Sequence, residues 1–398
     1  MFFPRATAGR AALLTSLYFA QGLPFGLFTQ ALPVMMRQQG YSLESIGLAN
    51  LLALPWALKF LWAPWIDRVS GPRRRVIVPL NVVAAGLLSA LAVVSPGAMI
   101  PLIITVFLCN LAAATQDIAT DGLAVESLPP AERGLGNGVQ VAGYRLGMVV
   151  GGGALVQLFD AKGWMYTFFT AAFAITVATL PLLFVSPPDR PAPGAPASGR
   201  DALRWDRWFA GRDGLAWFGL LILYKLGDSF GTSMVKPMFV DQGLSLGEIG
   251  ALIGLRGSIA GMVGALVGGW FVGKWRRRAA LAVFAALQVP TLALYAWLAV
   301  AGPAHAAEIV VVEHLFSGMA TAALFTAMMD ACRPGHAGSD YTVQASVVVL
   351  AQGLGGIASG FSAHHFGYPA HMAVATGLSV VAAGYVLVIR RGEGRFLL

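Results

Sequence analysis

Charged residues are scarce in this chain. Asp, Glu, Lys and Arg together make up 12% of its 398 residues, whereas roughly 25% is usual in a soluble domain. Hydrophobic residues account for 57%, and the mean hydropathy is +0.69. Long apolar runs of this kind need hydrocarbon around them, so the composition excludes a soluble globular protein and predicts one embedded in a lipid bilayer.

Cysteine is rarer still, with only Cys109 and Cys332 present. Two thiols in or near apolar segments are too few for a disulfide scaffold or a thiolate metal site, and we expect them to serve packing. The net charge of +8 would indicate a nucleic-acid partner only if the basic residues formed one exposed patch, and they are instead spread between apolar segments. We therefore expect no nucleic-acid partner, no metal site and no cofactor.

Twelve apolar segments recur along the chain, each long enough to cross a bilayer as a helix of about 20 residues. They are too long and unbroken for the alternating strands of about ten residues that build a membrane barrel. Because a backbone in lipid must satisfy its own hydrogen bonds, we predict an all-α membrane protein with twelve transmembrane helices. The segments cover residues 13–36, 46–66, 76–95, 99–125, 136–158, 164–185, 215–239, 247–272, 279–301, 305–329, 341–363 and 369–389.

The positions of Lys and Arg between these segments predict the orientation. They crowd one set of loops, as at Arg73–Arg75 and Arg276–Arg278, whereas the opposite loops hold few, among them Arg37 and Lys162. Cytoplasmic loops of membrane proteins carry the excess of Lys and Arg. Both termini are therefore predicted to be cytoplasmic, and the basic excess is a topology signal.

The two halves of the sequence resemble each other. Residues 39–47 match residues 242–250 at an offset of 203, with six identities in nine positions, and further matches follow at an offset of 204. A Pro-rich hydrophilic stretch at 186–213 separates the halves and is predicted to be a cytoplasmic linker. We thus predict two pseudo-symmetric six-helix bundles, residues 1–185 and 214–398, a layout in which substrate binds near the middle of the membrane.

Two segments carry a family resemblance: Ala53-Leu54-Pro55-Trp56 through Asp67-Arg68, and Ala114-Thr115-Gln116-Asp117 through Asp121-Gly122. They resemble the AmpG branch of the major facilitator superfamily, which includes muropeptide permeases, acetyl-CoA transporters and RhtX/FptX-type siderophore importers. The resemblance covers essentially the whole chain. It implies a monomeric, proton-linked importer of the bacterial inner membrane that works by alternating access and is not an enzyme.

The resemblance leaves two substrate classes open. Muropeptide permeases are usually longer, whereas this compact chain is similar in length to the siderophore importers. The resemblance therefore implies uptake of a ferric siderophore such as pyochelin, with iron present only inside its chelator, and anhydromuropeptide is the alternative. A membrane-embedded enzyme that uses Asp117 and Asp121 is a further alternative, against which the repeated halves argue.

Gating residues come from a loop signature and from the repeat. The segment Asp67-Arg68-Val69-Ser70-Gly71-Pro72-Arg73-Arg74 resembles the cytoplasmic loop signature of the superfamily, and Trp270 replaces the aspartate in the second half. Only Asp67 can therefore offer a carboxylate to a helix N-terminus or an arginine. Glu126 and Asp330 are related by the repeat. The predicted gating residues are Asp67, Arg68, Glu126 and Asp330.

Several charges fall inside the predicted spans, where each costs roughly 2.5–3.5 kcal/mol unless it faces water or a counter-charge. Asp117 and Asp121 are four residues apart and share one helix face. Two carboxylates so placed in a low-dielectric cavity can bind and release a proton. The predicted proton-coupling residues are Asp117, Asp121, Asp228 and Glu313.

The deep basic residues outnumber the acids Asp117, Asp228 and Glu313, which favours a small anionic substrate. Aromatic rings beside the charges can stack on a ring-bearing ligand, and amides can hydrogen-bond to it. The alternative for each ring is packing. The predicted substrate-binding residues are Lys59, Arg145, Lys225, Arg256, Tyr18, Gln21, Trp56, Gln116, Tyr144 and Tyr224.

Overall fold

The computed structural model describes residues 5–32, 35, 36, 40, 52, 54–94, 98–184 and 212–389. All regular structure among them is helical, so the predicted all-α membrane fold is confirmed. The predicted linker lies almost wholly outside the described residues. So do both chain ends and most of the first repeated segment, residues 39–47.

The first half of the chain contains both long and short helices. In chain order they are α1 (Arg5–Gly26), α2 (Leu54–Leu58), α3 (Ala63–Arg68), α4 (Arg74–Val93), α5 (Met99–Ser127), α6 (Arg133–Val149), α7 (Leu155–Lys162), α8 (Trp164–Thr179) and α9 (Pro181–Phe184). A π-helical segment, Leu27–Ala31, continues α1, and another, Val150–Ala154, joins α6 to α7.

The second half also contains long and short helices. They are α10 (Arg212–Thr232), α11 (Val235–Asp241), α12 (Leu246–Ile249), α13 (Ser258–Lys274), α14 (Arg277–Ala301), α15 (Ala306–Asp330) and α16 (Ala337–Val388). A π-helical segment, Gly250–Gly257, joins α12 to α13. Helix α16 is interrupted at Gly367, where φ is +73°.

Nine helices in the described part of the chain are long and apolar enough to cross a membrane. They account for ten of the twelve predicted spans, because α16 covers the last two with the break at Gly367. The predicted span at 46–66 lies partly outside the described residues, and its described part contains α2 and α3. The predicted span at 215–239 corresponds to α10 and α11, where the charges of Lys225 and Asp228 lower the hydropathy.

The chain divides into two compact units. The first comprises residues 1–129, 142–197 and 332–342, and the second comprises 130–141, 198–331 and 343–398. Each unit thus includes a short segment from the opposite half of the sequence.

Glycines set the distance between helices in each unit. In the second unit a Cβ atom on Gly264 of α13 would lie 1.9 Å from the carbonyl oxygen of Leu315 on α15. In the first unit a Cβ atom on Gly22 of α1 would lie 2.0 Å from the carbonyl oxygen of Tyr144 on α6. Small residues let helix backbones approach this closely, so glycine at positions 22 and 264 permits the close contact of α1 with α6 and of α13 with α15.

Left-handed glycines repeat between the halves. Gly40 and Gly243 have φ values of +85° and +89°, and Gly163 and Gly367 have values of +80° and +73°. The members of each pair are related by the offset of 203 or 204 residues that the sequence repeat shows. Glycine adopts this conformation at little steric cost, so the same turn chemistry recurs at repeat-related positions.

Candidate functional site

A lysine and two aspartates meet in the first unit. The Nζ atom of Lys59 pairs with Oδ2 of Asp117 and lies 3.9 Å from Oδ2 of Asp121. The hydroxyl of Tyr18 donates a hydrogen bond to Oδ1 of Asp121 at 2.8 Å. All four side chains are buried. We call Tyr18, Lys59, Asp117 and Asp121 the Lys59 cluster.

The backbone around Lys59 explains how its side chain reaches α5. Lys59 begins a 3-10 turn, Lys59–Leu61, between α2 and α3. Pro55 and Pro64 flank this turn, and a proline removes a backbone donor and interrupts a continuous helix. The lysine therefore lies in a break between two short helices, opposite the face of α5 that carries both aspartates.

Aromatic rings lie beside the Lys59 cluster. The ring of Phe25 is 5.6 Å from that of Trp56 at an interplanar angle of 81°, and 5.8 Å from that of Tyr144. The Nζ atom of Lys59 is 5.9 Å from the Trp56 ring centre. Phe25 was not predicted from the sequence. Its position one turn beyond Gln21 on α1 was the signal that could have indicated it.

Gln21 is buried and makes no side-chain hydrogen bond within the part of the chain that the structure describes. It is 1% exposed, and neither its amide nitrogen nor its amide oxygen has a partner among the described residues. On α1 it lies between Tyr18, which contacts Asp121, and Phe25, which contacts Trp56. Residues three and four apart share a helix face, so Gln21 lies on the face of α1 that carries both contacts.

A second cluster occupies the second unit. Lys225 and Asp228, three residues apart on α10, form an ion pair, and the Nζ atom of Lys225 donates to Oγ of Ser317 at 2.9 Å. The hydroxyl of Ser317 in turn donates to Oδ2 of Asp228 at 2.9 Å. The carboxyl group of Glu313, one turn earlier on α15, lies against that of Asp228. We call Lys225, Asp228, Glu313 and Ser317 the Lys225 cluster.

Both clusters have the same charge composition. Each contains one ammonium group and two carboxyl groups, so each is formally neutral when it holds one proton. Because an uncompensated charge is expensive within a membrane span, each cluster has the composition of a site for a single exchangeable proton. The sequence predicted more basic than acidic charge deep in the spans. Lys59 and Lys225 do not contribute uncompensated positive charge, because each is paired with a carboxylate.

The remaining predicted binding residues have other surroundings. Gln116 donates to Thr120 Oγ1 at 2.8 Å within α5, and Tyr224 donates to the carbonyl oxygen of Leu281 at 3.0 Å. Arg145 is half-buried on α6. Arg256 is exposed in the π-helical segment Gly250–Gly257. The structure therefore does not bring Arg256 or Tyr224 into contact with the charged groups of either cluster.

A buried ion network surrounds the predicted gating residue Asp67. The Nη2 atom of Arg73 lies 2.6 Å from Oδ1 of Asp67 and 2.7 Å from Oε1 of Glu126. Oδ2 of Asp67 accepts hydrogen bonds from the backbone nitrogen and hydroxyl of Ser339 at 2.7 and 2.5 Å, in the first turn of α16. Burial opposes the charge of the guanidinium, but Glu126 and Asp67 outweigh it and raise the pKa of Arg73. Arg68 is exposed.

The second unit contains a related network around Asp330. Arg133 Nη1 lies 2.8 Å from Oδ1 of Asp330, and Arg277 Nε lies 2.7 Å from Oδ2. The sequence predicted both acidic residues but assigned their arginine partners to topology. The missed signal was spacing, because Arg73 and Glu126 are 53 residues apart and so are Arg277 and Asp330.

The sequence matches the profile described as "Major Facilitator Superfamily" over residues 14–356. The chain belongs to the Major Facilitator Superfamily. It is accordingly a multi-pass membrane transporter.

Within the superfamily, this chain is similar to transporters of the AmpG type, as the sequence motifs implied. The anhydromuropeptide permease of Escherichia coli K12 is 29% identical over 397 residues, which cover 96% of this chain and 80% of the relative. A putative transporter AmpG 4 of Rickettsia conorii is 22% identical and is covered over 84% of its length.

Solved structures share the superfamily fold. The human organic anion transporter MFSD10 (TETRAN) superposes with a TM-score of 0.74 at 16% identity, over 96% of this chain and all of the other. The fucose:proton symporter FucP of Escherichia coli gives a TM-score of 0.72 at 13% identity, over 98% and 100%. At these identities the likeness is one of fold alone.

Proposed function

We propose that this superfamily transporter imports an anionic solute of the anhydromuropeptide class together with protons across the bacterial inner membrane. The name of the Escherichia coli relative supports this substrate class. Chain length was the only feature that favoured a ferric siderophore. The relatives described above favour the alternative.

The two lysine–carboxylate clusters are the observation on which the proposal rests. Each has at least one carboxyl group on a helix long and apolar enough to cross a membrane, α5 or α15, is buried, and has one more carboxyl group than ammonium groups. Moving such a cluster between water-exposed and closed conformations favours carrying one proton with it, because the neutral form avoids the cost of a bare charge. A proton gradient can then drive the cycle.

Lys59 links the proton to the anion. Its ammonium group is paired with Asp117 and lies near Asp121. A proton bound to Asp117 weakens this ion pair, since a neutral carboxyl attracts an ammonium less than a carboxylate does. Lys59 then becomes available to a carboxylate of the substrate. Release of the substrate restores the Asp117 pair and expels the proton.

Gln21 and the neighbouring rings supply recognition of the uncharged part of the solute. A buried amide without partners costs about 1–3 kcal/mol, and a substrate hydroxyl or amide can satisfy it. The rings of Phe25, Trp56 and Tyr144 offer apolar faces for stacking on a sugar or peptide ring. These residues suit a solute with a polar ring system and a carboxylate.

Uptake by proteoliposomes tests the proposal. Labelled anhydromuropeptide and a labelled ferric siderophore are offered in parallel, with and without an imposed proton gradient. We expect gradient-dependent accumulation of the anhydromuropeptide and none of the siderophore. Accumulation of the siderophore alone would overturn the substrate class, and accumulation that ignores the gradient would overturn proton linkage.

A matched pair of variants assigns the proton. Asp117→Asn removes one carboxylate of the Lys59 cluster, whereas Asp160→Asn removes an exposed carboxylate on α7. We expect the first to abolish gradient-driven accumulation and the second to leave it unchanged. Undiminished accumulation by Asp117→Asn would remove the Lys59 cluster from the coupling role.

A further inference from the structure

The second copy of the repeated basic loop lacks the aspartate of the first copy. At the repeat offset of 203, Trp270 stands where the first half has Asp67, and Lys274 stands where it has Gly71. Asp67 accepts hydrogen bonds from Ser339, and an indole cannot accept them in its place. The second copy therefore has a different role, which its own surroundings indicate.

An exposed apolar stripe runs along α13 to its last turn. Its side chains are 38–48% exposed and are Ile259, Val263, Leu266 and Trp270. They are three or four residues apart and so share one face of the helix. Lys274 continues the same spacing and is exposed. The opposite face packs on α15 through Gly264, so the stripe is the side of α13 that lipid covers.

The ammonium group of Lys274 lies over the exposed indole of Trp270. Its Nζ atom is 3.7 Å from the centre of the ring, and a cation in this position is attracted by the negative face of the ring. Tryptophan rings concentrate at the level of the lipid headgroups. The cation is thus held beside the apolar stripe, at the depth where lipid phosphates lie.

The connection from α13 to α14 adds a second indole and a second cation. Trp275 is 40% exposed, and Arg276 is exposed. Two neighbouring cations have protein partners, since Arg277 pairs with a carboxylate and Arg278 donates to a carbonyl oxygen in the last turn of α16. No carboxylate in the described part of the chain pairs with Lys274 or Arg276. These two cations are available to an external anion.

We propose that Lys274 and Arg276 bind the headgroup of an anionic phospholipid. Its phosphodiester lies between the two cations, the indoles of Trp270 and Trp275 lie beside its glycerol group, and one acyl chain lies along the apolar stripe of α13. The lipid belongs to the leaflet that the distribution of Lys and Arg predicts to be cytoplasmic. Anionic lipids attract basic residues at this membrane surface.

Topology alone does not account for this arrangement. Loop charges set the orientation through their number and their side of the membrane, and they need neither an indole under the cation nor alignment with an apolar stripe. A soluble phosphate would bind the cations but leave the stripe unused. A phospholipid fits both features, because its headgroup and acyl chain are joined. The site goes beyond the proposed transport and does not depend on the substrate.

Native mass spectrometry of the full-length protein in detergent tests the site without any transport substrate. Phosphatidylglycerol and phosphatidylcholine with the same acyl chains are added in turn. Phosphatidylcholine carries its own ammonium group and has no net charge. We expect wild-type protein to retain about fivefold more phosphatidylglycerol or better, since one basic residue near an anionic lipid contributes about that factor. Equal retention of the two lipids would overturn the proposal.

A matched pair of double variants locates the binding. In Lys274→Gln with Arg276→Gln, we expect retention of phosphatidylglycerol to fall about tenfold or more. The unfolding temperature should stay that of wild type, because neither side chain pairs with a carboxylate of the protein. The control, Arg74→Gln with Arg75→Gln, removes two exposed charges from the first copy of the loop and should retain the lipid. Equal losses in both variants would indicate unspecific attraction and contradict the site.

Two further measurements separate a lipid from a free anion. Trp270→Leu keeps both cations and an apolar side chain but removes the ring under Lys274, and we expect about threefold weaker retention of phosphatidylglycerol. Unchanged retention would contradict the role of the indole. Glycerol phosphate at millimolar concentration should not displace the lipid, because it lacks the acyl chain. Complete displacement would show a site for a soluble anion and overturn the lipid assignment.

Discussion

The Nε atom of Arg277 donates a hydrogen bond to Oδ2 of Asp330 at 2.7 Å, across a separation of 53 residues. Arg73 reaches Glu126 across the same separation in the other unit. The repeat relates the two pairs at an offset of 204. An arginine–carboxylate pair is therefore built twice from duplicated sequence, once in each unit, buried in the first and partly exposed in the second.

Asp330→Asn should destabilise the second unit. The carboxylate accepts from both Arg133 and Arg277, and charge-assisted hydrogen bonds contribute about 1.5–3 kcal/mol each. We expect a lower thermal unfolding temperature for the purified protein in detergent. Asp160→Asn, at an exposed site, is the control. Equal unfolding temperatures for the two variants would contradict a stabilising role for the network.

Lys59→Met should be more harmful than a double substitution. The single change leaves Asp117 and Asp121 buried without a cation, and breaking a buried ion pair costs about 3–5 kcal/mol. Adding Asp117→Asn removes one of the stranded carboxylates and should restore part of the stability. A double variant as unstable as the sum of the two singles would mean that Lys59 and Asp117 are not coupled.

Gln21→Leu should separate stability from transport. The amide of Gln21 has no partner among the described residues, so its loss leaves the unfolding temperature unchanged or higher while substrate KM rises. The control Gln116→Leu removes the hydrogen bond to Thr120 and should cost about 1 kcal/mol. A large stability loss in Gln21→Leu would indicate a structural amide.

Gly264→Ala should disrupt the pairing of α13 with α15. The added Cβ atom would lie 1.9 Å from the carbonyl oxygen of Leu315, and overpacking costs about 1–3 kcal/mol or more. We expect a reduced yield of folded protein in size-exclusion chromatography. Gly254→Ala, where no atom lies within 4 Å of the added carbon, should fold normally. Similar yields would exclude the close approach.

The helices were predictable because hydropathy and the residues that end a helix are local properties of the sequence. The apolar runs that became α4, α5 and α14 end where charged residues or glycines stand. In the described part of the predicted span at 46–66, a proline stands in the first turn of α2 and of α3, with the turn at Lys59 between them. In the predicted span at 215–239, Lys225 and Asp228 make the helix less apolar.

The candidate site was predictable only in part. Charge inside an apolar run indicated Lys59, Asp117, Asp228 and Glu313, since each needs a partner or water. The partners themselves come from distant segments: Lys59 and Asp117 are 58 residues apart. Arg256 met the same sequence criterion and lies outside both clusters.

The sequence by itself determined that the protein is embedded in a membrane, that it is helical and that a few charged residues lie inside its spans. Composition and hydropathy suffice for this because they are properties of each segment alone. Only the tertiary structure decided which charges meet. It set Lys59 against two aspartates, placed His314 beside Glu313 and left the Gln21 amide without a hydrogen-bond partner among the described residues. These relationships depend on how helices pack around close glycine contacts, and no single segment contains that information.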